Sequence, residues 1–271
     1  MQLNGARILL TGASGGLGSA LARALAQAGA SLLLVGRDQD RLTALSLSLA
    51  EAGERHITLA VDLNQPADVA RLLEAAGRFQ VDVLINNAGI SAFGLLEQQD
   101  GSSVAAVLET NLAAPIALTH ALLPLLKSRA QAAIVNIGSI FGSLPFPGFA
   151  AYSAAKAGMK GFSQALRREL SDSPVEVIYI APRVIDTPFN TPAVNALNAE
   201  MGNASDTPDQ VASQIVSALT AGRAETSLGF PECFFAWFNG VAPALIDRAL
   251  RSKLAIIKRH ALSATHLKEL P

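Results

Sequence analysis

The stretch Arg7-Ile-Leu-Leu-Thr-Gly-Ala-Ser-Gly-Gly-Leu-Gly18 passes from an apolar, strand-like run through a cluster of glycines into a helical segment that continues to Ala28. A glycine cluster alone is as readily an ordinary turn. Here it follows a segment apolar enough to be buried and opens a helix, the setting in which backbone N–H groups and a helix dipole can hold a phosphate. Gly12, Gly16 and Gly18 permit a tight strand-to-helix turn, close approach of backbone to a pyrophosphate, and close packing of helix on sheet. Their spacing, Gly-x-x-x-Gly-x-Gly, departs from the Gly-x-Gly-x-x-Gly dinucleotide fingerprint. With Ser14, Gly15 and Leu17 they form a candidate phosphate-binding turn.

Beyond the turn, short β-branched or leucine-rich runs at 31–35, 56–61, 83–86, 132–137 and 176–181 alternate with helix-length segments. Parallel strands need crossovers, right-handed crossovers put helices on both faces, and strands buried on both faces read as continuous apolar runs. The pattern predicts an α/β fold with a doubly wound, Rossmann-like parallel sheet. At 271 residues, with no linker-like tract dividing it, the chain reads as one domain with a helical C-terminal extension. The glycine turn, Asn86 to Gly89, Ser139 and Pro182 then fall at carboxyl ends of strands, where open α/β sheets bind ligands.

Tyr152 and Lys156 stand four residues apart, so on a helix they share one face. A phenol ionises near pH ~10. A fixed neighbouring ammonium favours the phenolate, which would let Tyr152 exchange protons nearer neutrality. The same spacing on a solvated helix face has no function, and the pair acquires meaning only with what surrounds it.

Five segments taken together supply that: the glycine turn, Asp62, Asn86-Asn87-Ala88-Gly89, Asn111, and Ser139 placed thirteen residues before Tyr152 and Lys156. In this order and approximate spacing the chain resembles the short-chain dehydrogenase/reductase family over residues 6 to 229. The resemblance implies hydride transfer between a nicotinamide and a carbonyl/alcohol pair. Tyr152 would be the general acid or base and Lys156 the stabiliser of its phenolate and a donor to the nicotinamide ribose. Ser139 would donate to the substrate oxygen, and Asn111, within a helical segment at 102–128, would hold a relay water. It further assigns Asp62 and Leu63 to the adenine side, Asn87, Ala88 and Gly89 to the cofactor's passage, and Pro182, Ile185 and Thr187 to the nicotinamide. One departure stands out. The family's Pro-Gly-x-Val-x-Thr reads here Pro182-Arg-Val-Ile-Asp-Thr187, with Arg183 in place of glycine, which puts the local loop shape in question.

The end of the second strand, Leu32-Leu-Leu-Val-Gly-Arg-Asp38, bears on the cofactor. An acid there suits a ribose 2′-hydroxyl and an arginine a 2′-phosphate. The resemblance aligns Gly36 with the acidic position of NAD enzymes and Arg37 with the basic one, so NADP is expected over NAD. Ser14 adds a hydroxyl and Arg41 is a further cation in reach. Otherwise Arg37 is a solvated loop residue and Asp38 a helix cap.

Formal net charge is −1, which gives no electrostatic basis for nucleic-acid binding by the chain. Cys233 is the only cysteine, so no intrachain disulfide forms, and His56, His120, His260 and His266 have no ligand spacing, so no metal is expected. The start of the sequence, running almost directly into the first strand, does not read as a signal peptide, and a cytoplasmic location is expected. Charged residues make up only 16% and hydrophobic ones 50%, which points to apolar surface covered by a partner, with a homo-oligomer expected. Ile90, Phe93, Phe141, Phe146, Phe149 and Phe189 are candidate pocket residues and suggest an apolar small-molecule carbonyl or alcohol substrate.

The extension at 230–271 is first aromatic, with Phe234, Phe235, Trp237 and Phe238, and then basic, with Arg248, Arg251, Lys253, Lys258 and Arg259. Glu232, Asn239, Pro231 and Pro243 interrupt it, so it falls short of the ~20 apolar residues of a membrane span. It is a lid, a subunit contact or a membrane-surface element. Packing of its aromatics on the protein or on a second subunit is the expectation, and membrane attachment is not favoured. Two other readings of the whole chain compete: a catalytically idle dinucleotide sensor or scaffold, and a peripheral membrane enzyme acting on lipid carbonyls.

Overall fold

A computed structural model describes residues 1–49 and 56–266, with side chains through Leu262. β1 (Arg7–Thr11), β2 (Ser31–Gly36), β3 (His56–Ala60), β4 (Val83–Asn86), β5 (Ala132–Ile137), β6 (Val175–Ala181) and β7 (Glu225–Ser227) form one parallel sheet in the order β3-β2-β1-β4-β5-β6-β7. Alternation along β1 and β2 decides which face each side chain enters. Ile8, Leu10, Leu32 and Leu34 join the core on one face, and Leu9, Leu33 and Val35 join the core on the other. Both sets are fully buried or nearly so, as the continuous apolar runs require.

The first face is covered by α1 (Gly16–Gln27), α2 (Gln39–Leu49) and α8 (Pro208–Thr220), which contribute Leu21, Leu25, Leu42 and Ile215. The second is covered by α3 (Pro66–Phe79), α5 (Ala114–Lys127) and α6 (Ala150–Glu169), through Leu72, Leu118, Leu122 and Leu166. Winding leaves β1 in one direction towards β2 and β3 and in the other from β4 onwards. The crevice at that switch point lies between the turns that follow β1 and β4, where such sheets bind ligands.

The expected helix at 102–128 is present as α4 (Gly101–Leu108), a π-helical turn Glu109–Ala113, and α5. Together, Gly101–Lys127 is the one helix among the described residues long and apolar enough to cross a membrane, but Leu118, Leu122 and Leu126 pack on Leu84 and Ile134 of the sheet. It serves as a core helix.

After β7 come α9 (Glu232–Val241), α10 (Pro243–Arg251) and α11 (Leu254–His266), while 267–271 lie outside the described residues. α11 packs on α7 (Pro192–Met201), burying Ile257 and Ala261 completely, and Arg259 and His260 both bond Glu200. α9 leans on the 3₁₀ turn Ile140–Gly142, and the Asn239 amide donates to Ser143 O at 3.0 Å. That seat buries Ala236 and partly covers Phe238. The chain itself does not cover the others: Phe234 is 47%, Phe235 42% and Trp237 64% exposed. The reason is helical phase. With Ala236 and Asn239 turned inward, positions 234, 237 and 241 must point outward.

Candidate active site

A single cleft of about 810 Å³ runs across the carboxyl ends of the strands. Its first end is the glycine turn. Gly12 has φ +64°, and a Cβ there would lie 2.8 Å from Ala88 Cα, so only glycine lets the turn meet the segment after β4. Thr11 secures that meeting: its Oγ1 accepts from Asn87 N at 2.9 Å and Ala88 N at 3.0 Å and donates to Ile85 O at 3.2 Å. The Asn87 amide returns a bond to Thr11 O at 2.9 Å. Ser14, Gly15, Gly16, Leu17 and Gly18 line the cleft where α1 begins, and no acidic residue occupies the first turn of that helix to repel an anion.

Arg37 is exposed and lines the cleft beside Gly36, where a Cβ would sit 3.0 Å from Ser14 Oγ. Asp38 is committed elsewhere: its carboxylate accepts from Arg41 N at 3.0 Å at the start of α2 and pairs with the Arg41 side chain at 3.4 Å. Asp62 and Leu63 line the cleft after β3, with Asp62 Oδ1 accepting from Asn64 N at 3.0 Å in a turn. Turn-forming and lining thus coexist at Asp62.

Ser139, Tyr152 and Lys156 meet midway along the cleft. Ser139 ends the β5 segment, its Oγ accepting from Phe141 N at 3.2 Å. Tyr152 and Lys156 lie on α6 one turn apart, and Lys156 Nζ sits 5.7 Å from the centre of the Tyr152 ring while donating to Ile137 O at 3.0 Å. Asn111 does not line the cleft. It is buried in the π-helical turn behind Gly89, where Nδ2 donates to Ile90 O at 2.7 Å and Oδ1 accepts from Ile90 N at 2.9 Å. Such turns break the regular i→i−4 ladder and recur at functional sites.

The electrostatics correct one expectation. Burial pushes the Tyr152 phenol up to about 12, with a hydrogen bond to Ser139 acting the other way. Burial likewise pushes the Lys156 ammonium down to about 8. Lys156 therefore does not draw Tyr152 towards neutrality in the chain by itself. Its ammonium lies over the ring and bonds Ile137 O, and desolvation opposes the charged form of both groups. Tyr152 still keeps part of its surface open to the cleft, whereas Lys156 is 6% exposed.

The other end is aromatic. Phe141, Phe149 and Phe189 have ring centres 6.4, 6.3 and 6.2 Å from that of Tyr152, and Ile90 and Phe146 also line the cleft. Phe93, expected in the pocket, instead packs behind it against Phe149, with ring centres 5.0 Å apart. Pro182, Ile185 and Thr187 border this end, and a Cβ on Gly16 would lie 2.6 Å from Thr187 Cγ2, so this loop reaches the glycine turn.

Arg183 does not adopt the glycine-only backbone, for Gln80 is the sole non-glycine at positive φ among the described residues. Its guanidinium binds Asp206 and also donates to Phe230 O and Glu232, both at 3.1 Å. Three features of the site were not legible in the sequence: the tie that buried Thr11 makes behind the glycine turn, the role of Arg183, and the lining by Val194, Leu197 and Asn198 of α7. Thr11 carried a signal, as a hydroxyl at the end of β1. The others are placed by contacts distant in sequence. Among the described residues no group of three His, Cys, Asp or Glu could hold a metal, and the His266 side chain lies outside them.

Comparison with known proteins gives the same grouping. The family model described as short chain dehydrogenase matches residues 6–198. Over 263 residues the chain is 35% identical to dehydrogenase/reductase SDR family member 7B of Bos taurus, covering 91% of this chain and 80% of that protein. Over 206 residues it is 34% identical to the 3-oxoacyl-(acyl-carrier-protein) reductase FabG of Vibrio cholerae, covering 75% and 82%. Among solved structures, a short-chain dehydrogenase from Sphingobium yanoikuyae in complex with NADPH superposes with a TM-score of 0.76 at 29% identity, over 89% of this chain and 95% of that one. A short chain dehydrogenase/reductase from Burkholderia phymatum in complex with NAD, 22% identical, shares the fold with a TM-score of 0.82 over 90% and 96%. The family match takes in the glycine turn at one end and passes Thr187 at the other, so it spans every residue of the expected catalytic and cofactor sets, and the chain belongs to the short-chain dehydrogenase/reductase family of nicotinamide-dependent oxidoreductases.

Proposed function

We propose that this chain is an NADP-dependent oxidoreductase acting on an uncharged, apolar carbonyl/alcohol pair. The observation that carries the reading is the convergence of Ser139, Tyr152 and Lys156 on one cleft between a phosphate-type turn and an aromatic wall. The cradle at Gly12, the acid-free start of α1 and Ser14 beside Arg37 fit a dinucleotide carrying a 2′-phosphate. Bound there, that cofactor supplies the hydride.

The chain supplies the rest. Tyr152, protonated up to about 12, gives its proton to the carbonyl oxygen in reduction. Ser139 donates to that oxygen as charge grows on it, which is where an oriented hydroxyl has its effect. Lys156 would bond the nicotinamide ribose and stabilise the phenolate left on Tyr152, and Asn111, which orders the backbone at Ile90 behind them, would hold a relay water. Gly12, Ser14, Gly15, Gly16, Leu17 and Gly18 would hold the phosphates, Asp62 and Leu63 the adenine, and Asn87, Ala88, Gly89, Pro182, Ile185 and Thr187 the nicotinamide half.

The aromatic wall supports an apolar substrate. So does Arg183, a cation on that side whose donors are already engaged by two carboxylates and a carbonyl. We assign residues 1–229 to the catalytic unit and 230–271 to its extension, and propose a homo-oligomer on the composition given above, with the cytoplasmic location expected from the sequence.

A panel of aliphatic and aromatic ketones with NADPH tests the reading. Turnover should be found, and Tyr152→Phe should lower it by ~10² to 10⁴ while NADPH still binds, as loss of a general acid predicts. Near-normal turnover in that variant overturns the mechanism, and NADPH binding without turnover on any ketone favours an idle sensor.

A further inference from the structure

The surface of α9 is inverted relative to an ordinary core helix. Its small and polar residues Ala236 and Asn239 face the protein, and its aromatics Phe234, Phe235 and Trp237 face out. Phe234, Trp237 and Val241, at i, i+3 and i+7, make one solvent-facing stripe with exposures of 47%, 64% and 66%. Phe230 before it and Leu245 after it are 76% and 56% exposed. Single exposed apolar residues are ordinary, but a run of this kind on consecutive turns marks a contact surface.

Charge selects the partner. Six of the 21 Lys and Arg but only three of the 22 Asp and Glu lie after Gly229, so the extension carries +3 and the remainder of the chain −4. Arg248, Arg251, Lys253 and Lys258 are exposed on α10, at its end and on α11, immediately after the apolar stripe. A second copy packed on this face by two-fold symmetry would oppose +3 to +3. An anionic surface is attracted to the extension and repels the rest of the molecule, which orients the chain. Trp and Phe beside Lys and Arg is the composition that seats a helix at a headgroup boundary.

We infer that the α9 face, with the basic residues that follow it, docks on an anionic lipid surface. This departs from the sequence expectation, which did not favour a membrane: within the chain these aromatics are uncovered, and a second copy would set like charge against like. The helix that carries this face borders the cleft from its inward side and N-terminal end: Phe230 O and Glu232 bond Arg183, and Asn239 bonds Ser143 just beyond Ser139. The inference rests on surface composition and holds whether or not the proposed reaction is correct.

Trp237 is the only tryptophan, so it reports on its own environment. The full chain is mixed with vesicles of phosphatidylcholine alone or with added phosphatidylglycerol. Expected are flotation with the anionic vesicles, a blue shift of Trp237 emission, and quenching by lipids brominated in the acyl chain. High salt, which screens the basic residues, should weaken binding by roughly tenfold or more. A Phe234→Ser/Val241→Ser variant should bind at least about tenfold less, with unchanged Tm and NADPH affinity, since both side chains are solvent-exposed. Unshifted Trp237 emission with anionic vesicles overturns the inference. So does concentration-dependent dimerisation that the variant abolishes, or tight binding to an acidic carrier protein in place of vesicles.

Discussion

Arg183 grips Asp206 with a two-pronged contact, Nε to Oδ2 at 3.0 Å and Nη2 to Oδ1 at 2.7 Å, and spends its remaining Nη1 on Glu232 and Phe230 O. Asp206 in turn donates its N–H to Val184 O at 3.0 Å and accepts from Asp186 N at 3.0 Å, so the arginine pins the loop carrying Ile185 and Thr187. Gly229 is shaped by the same side chain: at φ +89°, a Cβ there would fall 2.6 Å from Arg183 Nε. With only 13% of the side chain exposed, the pairing is worth more than a surface ion pair. Arg183→Gly, which restores the family's residue, should cost ~3 kcal/mol in a denaturant titration at unchanged m, because two carboxylates lose a charged donor. Arg183→Lys keeps the charge without the fork and should recover only part. A midpoint unaffected by Arg183→Gly would show that the clamp contributes nothing.

The opposite shifts of Tyr152 and Lys156 predict the pH profile of reduction. kcat/KM reports the free protein. Tyr152 holds its proton up to about 12, so the donor is present throughout the usual range. Lys156 loses its charge as pH rises through about 8, and with it the stabilisation of the phenolate. Reductive kcat/KM should therefore be flat below this value and fall above it, whereas oxidation, which needs the phenolate, should rise with pH. In Lys156→Met the limb near 8 should vanish along with most activity. A limb that persists unchanged in that variant would assign it to another group.

What the sequence made legible was local and periodic. The turn after Leu10, the five apolar strands and the Tyr152–Lys156 spacing depend on neighbours within a few residues, and the observed strands agree with the expected ones to about a residue. β7 escaped because Glu225-Thr226-Ser227 has neither length nor apolar character and pairs only as an edge. The π-helical turn around Asn111 has no sequence signal of its own in this chain. Arg183 was recognisable as a departure, but its partners lie 23 and 49 residues away, beyond any pattern of spacing. The upward push on the Tyr152 phenol is hidden from spacing for a related reason. The cation beside it is local, while the burial that outweighs it is assembled by Phe141, Phe149 and Phe189 from three separate segments.

On the proposed reading, cofactor choice turns on Gly36 and Arg37. The two cofactors differ only at the 2′-position, and Arg37 is a cleft-lining cation there with Asp38 already occupied by Arg41. A charge-assisted hydrogen bond is worth ~1.5 to 3 kcal/mol, so Arg37→Ala should weaken NADPH by roughly ten- to a hundredfold and leave NADH within about twofold. Because Arg37 is exposed, the smaller figure should hold at high salt. Gly36→Asp should go further. Its Cβ would approach Ser14 Oγ to 3.0 Å, a contact that rotation of a serine hydroxyl can relieve, and its carboxylate would repel a 2′-phosphate while accepting from a 2′-hydroxyl. Titration of that variant with both cofactors should show NADH bound more tightly than NADPH. Retained preference for NADPH in Gly36→Asp, or equal losses of both cofactors in Arg37→Ala, would place the adenosine ribose away from the end of β2.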